Sequence, residues 1–383
     1  MTNTPAPRLA LARWDIYCRV IDNFGDIGVC WRLCQDLASR GHSVRLVTDD
    51  ASALAWMRTP GGQPVEVLVW SASEAAPLPG PAADVVVEAF GCDPPAAHVA
   101  AWRQASIPPV WLNLEYLSAE PYVERSHGLP SPQCSGPGEG LSKWFFYPGF
   151  TERTGGLLRE PDVQQRQQRF DARHWWGQMG VPWHAALRTV SLFCYPQAPL
   201  PALLAALPAW SEGAPVLLLC TASVNAMLLE EALQSQGLAQ RIQVQRLPWL
   251  SQADYDHLLW ACDLNLVRGE DSLVRAQWAG RPFLWQLYAQ DDGAHGPKLD
   301  AFLSLHLAGA EGSAWAPLLR QAMQQWNGLA LGSRALALPE GAAWQAHALA
   351  WRERLSQQPD LCTQLLAFAQ QKAQHGAGGT APA

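Results

Sequence analysis

The sequence lacks the features that mark several large classes of protein. Acidic residues outnumber lysine and arginine by 34 to 27, so the basic surplus typical of nucleic-acid-binding proteins is absent. Its nine cysteines form no CxxC pair, which argues against a zinc site or a disulfide framework. It has neither a signal-peptide pattern nor an apolar run of the roughly 18–20 residues that cross a membrane. We therefore expect a soluble, cytoplasmic protein with no nucleic-acid or membrane partner.

Two nucleotide-binding fingerprints are missing as well. Where the first strand turns into a helix, the sequence has neither GxGxxG nor the P-loop pattern GxxxxGKS/T. A nicotinamide-dependent dehydrogenase is therefore disfavoured. No cluster of histidine, aspartate and glutamate has metal-ligand spacing, so we predict neither a bound metal nor a cofactor.

What the sequence does contain is an alternation of strands and helices that occurs twice. The chain has 383 residues, 49% of them hydrophobic, which suits two domains of about 150–200 residues each. We place the first domain at residues 1–182 and the second at 183–355. A helix at about 356–372 is expected to pack back on the first domain, and residues 373–383 are expected to be disordered.

Two segments interrupt the alternation. Residues Ser118–Gly140 are crowded with proline, glycine and serine, so we expect a long loop without regular structure. Residues Glu160–Arg169 are polar and glutamine-rich, and we interpret them as a connector.

The alternation predicts an α/β fold with parallel sheets. Two facing Rossmann-like domains with a cleft between them are the architecture of GT-B glycosyltransferases, although two-lobed ligand-binding proteins share that outline. Such sheets bind ligands beside the carboxyl ends of their strands. The loops at those ends are therefore the candidate sites.

The first candidate loop precedes a helix whose apolar residues Val29, Leu33 and Leu37 recur at helical spacing. It contains Asp22 and Asp26. Asp26 directly precedes the helix, so it either caps the helix or faces the ligand as a proton acceptor. Asp22 has no capping role at its position. The pair suggests that one carboxylate orients an acceptor group while the other removes its proton.

The second candidate loop lies within Leu264–Gly280, where a strand ends and a helix begins. The first helical turn offers backbone N–H groups that can hold a diphosphate, with Ser272 adding a hydroxyl and Arg268 a charge. Glu270 and Asp271 lie in the same turn. Acidic residues and serine are also common in any first helical turn, so an ordinary cap stays open as the alternative.

A third group consists of aromatic and amide side chains near the ends of strands in the second domain. Rings at these positions can stack on a nucleobase, and an amide can bind its polar edge. Ordinary core packing is the alternative in a chain with 19 tryptophans. The group comprises Phe193, Tyr195, Trp249, Gln252 and Tyr255.

The acidic triplet at Asp254–Asp256 imitates the metal-binding DxD motif of a different glycosyltransferase fold. It lies where a helix begins, so we interpret it as capping and surface charge.

Taken together, these motifs resemble one family. The segments VIDNFGDIGVCWRL and CDLNLVRGEDSLVRAQWAGRPFLWQ, with SLFCY at residues 191–195, are similar to signatures of the EarP family of protein-arginine rhamnosyltransferases. The resemblance implies a GT-B fold, dTDP-β-L-rhamnose as donor and one arginine of elongation factor P as acceptor. It also implies inversion at the sugar and an activated factor that rescues ribosomes stalled at polyproline. From the residues alone, a GT-B epimerase, a transferase for a small acceptor and a non-catalytic two-lobed binding protein stay open.

The resemblance also implies roles for particular residues. Asp26 corresponds to the general base and Asp22 to its acidic partner, while Glu270 is expected to act in catalysis at the donor sugar. The remaining candidates are expected to bind substrate: Asn23, Phe24 and Gly25 in the first loop, Arg268, Asp271 and Ser272 at the diphosphate, and Phe193, Tyr195, Trp249, Gln252 and Tyr255 at the thymidine.

Overall fold

The computed structural model describes residues 12–22, 24–70, 76–289, 293–329 and 335–378. The elements of the first part of the chain are β1 Arg13–Cys18, α1 Gly25–Ser39, β2 Ser43–Thr48, α2 Leu54–Met57, β3 Glu66–Val69, β4 Val85–Ala89, α3 Ala96–Gln104, β5 Val110–Leu114, α4 Pro121–Ser126, β6 Pro130–Pro132 and β7 Ser142–Phe146. Those that follow are α5 Val163–Arg169, α6 Ala172–Gln178, β8 Arg188–Leu192, α7 Leu200–Trp210, β9 Val216–Cys220, α8 Ala226–Ser235, β10 Ile242–Arg246, α9 Gln252–Ala261, β11 Leu264–Arg268, α10 Gly269–Ala279, β12 Phe283–Gln286, α11 His295–His306, α12 Trp315–Trp326, α13 Gly341–Ser356 and α14 Leu361–Gly378.

The chain forms two compact units. Unit 1 contains the described residues up to Ala55, then Pro60–Glu160 and those from Gln358 onward. Unit 2 contains Trp56–Thr59 and Pro161–Gln357. The main boundary therefore lies after residue 160 and differs from the expected one after residue 182. The reason is α6, whose buried tryptophans join the core of unit 2 with residues of β9 and α9.

Unit 1 is built on a seven-stranded sheet in the order β3-β2-β1-β4-β5-β7-β6. All pairs are parallel except β6 with β7. At the centre Ile16 lies opposite Leu46 on one side and Val87 on the other, and all three are fully buried. Sheets covered by helices on both faces need such continuous apolar strands. The order of strands reverses between β1 and β4, which is where sheets of this kind bind ligands.

Unit 2 repeats this design with five parallel strands in the order β10-β9-β8-β11-β12. All five residues of β9 are buried, as are those of β11. Here the strand order reverses between β8 and β11. The doubly alternating α/β architecture predicted from the sequence is confirmed in both units.

The expected long loop at Ser118–Gly140 was wrong, because this segment contains α4 and β6. Pro121 stands in the first turn of α4, where its missing N–H costs nothing. β6 pairs antiparallel with β7 at the edge of the sheet, the position where a strand tolerates proline.

The segment Glu160–Arg169 does connect the two units, as expected, but most of it is helix α5, which the sequence did not predict. Glutamine and arginine are good helix formers even without an apolar pattern. Gln167 fixes the helix within unit 2, because its amide donates to the carbonyl of Ala279 at 2.8 Å and accepts from Arg352 at 3.0 Å.

The C-terminal helix α14 belongs to unit 1 and runs to Gly378, past residue 373, where disorder was expected. Phe368 packs edge-on against Phe146, and the Lys372 ammonium lies 3.7 Å from the centre of the Trp144 ring. These contacts pack α14 against β7 as far as Lys372. Among the described helices, none is both long and apolar enough to cross a bilayer.

Candidate functional site

A buried carboxylate accepts hydrogen bonds from the backbone of the loop after β1. Asp26 lies in the first turn of α1 and is only 3% exposed. Its Oδ2 accepts the backbone N–H groups of Ile21 at 2.8 Å and Asp22 at 2.9 Å. Phe24 holds the N-cap position, so the interpretation of Asp26 as an ordinary N-cap was wrong. The carboxylate folds back onto the loop and leaves Oδ1 facing away from these two donors.

Asp22 is held close to Asp26 by the tight turn between them. The N–H of Gly25 donates to the carbonyl of Asp22 at 2.6 Å. A Cβ atom on Gly25 would lie 2.9 Å from Asp22 Oδ2, closer than real Cβ atoms approach other atoms. A side chain at position 25 would therefore require the Asp22 carboxylate to move. Asn23 lies outside the described residues, and Phe24 is half-buried.

The environment makes Asp26 a stronger base than an ordinary aspartate. Burial raises its pKa, and the nearby negative charge of Asp22 raises it further, against the lowering effect of the two backbone N–H groups. The hydroxyl of Tyr116, which follows β5, donates to Asp26 Oδ1 at 3.4 Å. A half-exposed loop with a buried, proton-accepting carboxylate can bind a cationic group and take a proton from it.

The second candidate site lies where β11 turns into α10. The guanidinium of Arg268 lies 4.5 Å from the ring centres of both Phe193 and Tyr195, and its Nη1 donates to the carbonyl of Cys194 at 3.0 Å. Arg268 is only 8% exposed. This fixed cation stands beside the N-terminus of an α-helix, a combination that suits an anionic group.

The first turn of α10 holds the acidic candidates. Glu270 accepts a hydrogen bond from Lys298 Nζ at 2.8 Å, across to α11. Asp271 is half-buried. Ser272 is buried, and its hydroxyl accepts the N–H of Arg268 at 3.1 Å and donates to the Arg268 carbonyl. For the Ser272 hydroxyl to donate to a diphosphate, it has to give up its hydrogen bond to the Arg268 carbonyl.

The structure gathers part of the aromatic group. Phe193 contacts Tyr255 edge to face, with ring centres 5.7 Å apart, and Tyr195 contacts Tyr288 in the same way at 5.6 Å. Trp249, before α9, is 48% exposed. Gln252 is buried as the first residue of α9. Rings around Arg268 offer an apolar surface next to its charge.

The interpretation of the triplet Asp254–Asp256 as surface charge was wrong for its last member. Asp254 lies in the capped first turn of α9, where its N–H donates to the hydroxyl of Ser251. Asp256 is buried and pairs with Arg275 through contacts of 2.8 and 2.6 Å to Nε and Nη2. It therefore joins α9 to α10. Within the described ranges, no group of three or more potential ligand residues is arranged to hold a metal ion.

Comparison with known proteins identifies the family. The model of the EarP family, described as elongation factor P (EF-P) rhamnosyltransferase, matches residues 14–370. The chain belongs to the EarP family. This removes the non-catalytic binding protein from the interpretations that the sequence left open.

Curated EarP relatives match nearly the whole chain. The protein-arginine rhamnosyltransferase of Pseudomonas putida is 44% identical, covering 93% of this chain and 98% of its own length. That of Pseudomonas aeruginosa is 43% identical, with 94% and 99% covered. That of Shewanella oneidensis is 34% identical, with 93% and 97% covered.

Solved structures show the same architecture. A structure concerning EarP-mediated arginine glycosylation of translation elongation factor EF-P is 29% identical, with a TM-score of 0.59, and covers 94% of this chain and 99% of its own. A glycosyltransferase from Rickettsia africae is 8% identical, with a TM-score of 0.54 and coverage of 97% and 100%. The fold is that of the GT-B glycosyltransferases.

Two residues that contact the candidate site residues were missed by sequence reasoning. Tyr116 directly follows Glu115 after β5, so its place beside the carboxyl end of a central strand was a usable signal. Lys298 carried no signal, because only the packing of α11 brings it to Glu270.

Proposed function

We propose that this protein transfers L-rhamnose from dTDP-β-L-rhamnose to a guanidino nitrogen of one arginine of elongation factor P, with inversion at the sugar. The observation that carries this proposal is the carboxylate pair of unit 1, in which a buried Asp26 is held by two backbone N–H groups beside Asp22. Membership of the EarP family, whose description names elongation factor P and rhamnosyl transfer, supports this choice of sugar and acceptor.

The chemistry of arginine explains why two carboxylates are needed. A guanidinium has a pKa above about 12 and is a poor nucleophile until it loses a proton. In our proposal Asp22 attracts and orients the group, and Asp26 removes the proton as the nitrogen attacks. The raised pKa of Asp26, caused first by burial, favours that transfer.

The donor is assigned to unit 2. The helix start of α10 and the Arg268 guanidinium bind the diphosphate, and the rings of Phe193 and Tyr195 border the nucleotide. The nitrogen lone pair forms a bond to the anomeric carbon while the bond from that carbon to the β-phosphate oxygen breaks. The electron pair leaves on dTDP, and the proton leaves on Asp26. Glu270, fixed by Lys298, is assigned to the sugar.

No cofactor and no metal take part in this proposal, because Arg268 and the helix start stabilise the charge of the leaving diphosphate. The acceptor is a translation factor, so we also propose that the protein works in the cytoplasm.

The test is the intact mass of unmodified elongation factor P after incubation with this protein and dTDP-β-L-rhamnose in EDTA. We expect a gain of one deoxyhexose, localised to one arginine. Parallel reactions replace elongation factor P with free arginine or with buffer alone. They test whether the protein transfers the sugar to a small acceptor or to water. Consumption of dTDP-β-L-rhamnose without an increase in the mass of elongation factor P would refute the proposed acceptor. An increase in mass only after metal is added would refute metal independence.

A further inference from the structure

Two aromatic rings stack beside the carboxylate pair of unit 1. Phe90 follows β4 and Tyr116 follows β5, and these strands lie next to β1 in the order β1-β4-β5. Their ring centres are 4.4 Å apart and their planes differ by 15°. Because the carboxyl ends of parallel strands meet at one edge, the stack lies at the same edge as Asp26.

The backbone around the stack is unusual. Phe90 has a φ of +58°, a conformation that bulky residues rarely adopt. Its N–H donates to the carbonyl of Leu114 at 2.7 Å, and the next N–H, of Gly91, donates to Asn113 Oδ1 at 3.3 Å. The turn after β4 is thus fixed to the end of β5, which places the Phe90 ring against the Tyr116 ring. Strained residues held by their surroundings are typical of functional sites.

The stack places Tyr116 at the reactive oxygen of Asp26. Oδ2 of Asp26 is held by two backbone N–H groups, whereas the Tyr116 hydroxyl lies 3.4 Å from Oδ1. This contact is long for a hydrogen bond, as is common for catalytic groups before substrate binds. The Tyr116 side chain is 37% exposed although Phe90 covers one ring face. A group bonded to Oδ1 therefore lies beside the Tyr116 hydroxyl.

We propose that Tyr116, supported by Phe90, selects arginine over lysine as the acceptor, an inference that rests on the proposed function and deepens it. A guanidinium is planar and stacks on aromatic rings, whereas an ammonium is a compact, strongly hydrated charge. In this proposal the planar guanidinium of the acceptor arginine stacks on the ring of Tyr116. The Tyr116 hydroxyl donates to Asp26 Oδ1 and so holds that oxygen at the edge of the ring, where a nitrogen of the stacked guanidinium meets it.

Binding measurements on two acceptors test this assignment. The dissociation constants of elongation factor P and of its variant with the acceptor arginine replaced by lysine are measured by calorimetry, with dTDP in place of the donor. Four variants are compared with the unmodified chain: Tyr116→Leu, Tyr116→Phe, Phe90→Leu and, as a control at an equally exposed tyrosine of the same unit, Tyr122→Leu. Circular dichroism checks that each variant is folded.

We expect the unmodified chain to prefer the arginine acceptor by about tenfold, in line with the usual strength of a partly desolvated cation–π contact. Tyr116→Leu and Phe90→Leu should reduce this preference to about twofold or less. Tyr116→Phe should keep the preference, because it keeps the ring, and should lower kcat about tenfold through loss of the hydroxyl. Tyr122→Leu should leave the preference unchanged.

Failure of this inference is separable from failure of the proposed function. If the unmodified chain neither binds nor modifies elongation factor P, the proposed function itself is wrong. If it does both, and folded Tyr116→Leu or Phe90→Leu keeps the full preference for arginine, the selecting role of the stack is refuted. Should Tyr116→Leu not fold, Phe90→Leu and Tyr116→Phe decide the question.

Discussion

The loop after β1 in unit 1 and the turn after β11 in unit 2 each follow a strand beside the reversal of strand order, but the buried charged side chains there have opposite signs. In unit 1 a buried Asp26 lies beside Asp22. In unit 2 a buried Arg268 lies between two aromatic rings at the start of α10. In our proposal, the carboxyl edge of one sheet offers a buried carboxylate to the cationic acceptor, and that of the other sheet offers a buried guanidinium to the anionic donor. Under the proposed function, side-chain charge, and not the fold, divides the roles of acceptor binding and donor binding between the units.

Removing the charge of Asp26 should distinguish the function of the loop after β1 from that of the turn after β11 most clearly. Asp26→Asn keeps an oxygen for the N–H groups of Ile21 and Asp22 but has no basic carboxylate. We expect the rate of transfer to fall by about 10³-fold or more, while the affinity for dTDP-β-L-rhamnose stays within about twofold. Single-turnover kinetics and calorimetry measure these quantities. A matching loss of donor affinity would contradict the division of roles.

The reciprocal change is Arg268→Gln. It removes the cation at the helix start, and we expect donor affinity to fall by about 10–100-fold, the usual cost of losing charge-assisted hydrogen bonds. Affinity for elongation factor P, measured in the absence of nucleotide, should not change. Weaker binding of the factor together with unchanged donor binding would reverse the assignment of the two loops.

A smaller effect is expected from Gly25→Ala. The added methyl group would lie 2.9 Å from Asp22 Oδ2 and has to displace that carboxylate. We expect kcat to fall by about tenfold with donor affinity unchanged, because displacements of this size misalign reacting groups. Gly177→Ala is the matched control, since a Cβ atom there meets open space in a helix. Full activity of Gly25→Ala would show that the position of Asp22 matters little.

Much of the framework was predictable because buried parallel strands form short runs of apolar residues. Short apolar runs in the sequence predict strands at Val110–Leu114, Val216–Cys220 and Phe283–Gln286, and these are the bounds of β5, β9 and β12. The helix at Gly25–Ser39 followed from its apolar spacing. Helix α5 did not, because it is polar and is fixed by Gln167 to residues more than 100 positions away.

In the candidate sites, too, some features can be predicted from the sequence and others cannot. Asp22, Asp26 and Arg268 could be chosen as candidates because Arg268 ends β11, and Asp22 and Asp26 lie between the end of β1 and the first turn of α1, at strands next to a reversal of strand order. The direction in which Asp26 points was not predictable, since it depends on the fold of the loop rather than on the capping preference of aspartate. The burial of Asp256 depends on Arg275, 19 residues further along, and no local pattern indicates that pair.

The measurement that tests the base assignment most directly is the pH dependence of kcat/KM for the unmodified chain and for Asp22→Asn. Transfer requires ionised Asp26, so the rate falls as pH drops below its pKa, which burial and then the Asp22 charge hold above the ordinary value. Removing the Asp22 charge lowers that pKa. We therefore predict that the acid limb of the profile moves to lower pH in Asp22→Asn, whatever the height of the plateau. An acid limb that stays in place, or moves to higher pH, would contradict the account.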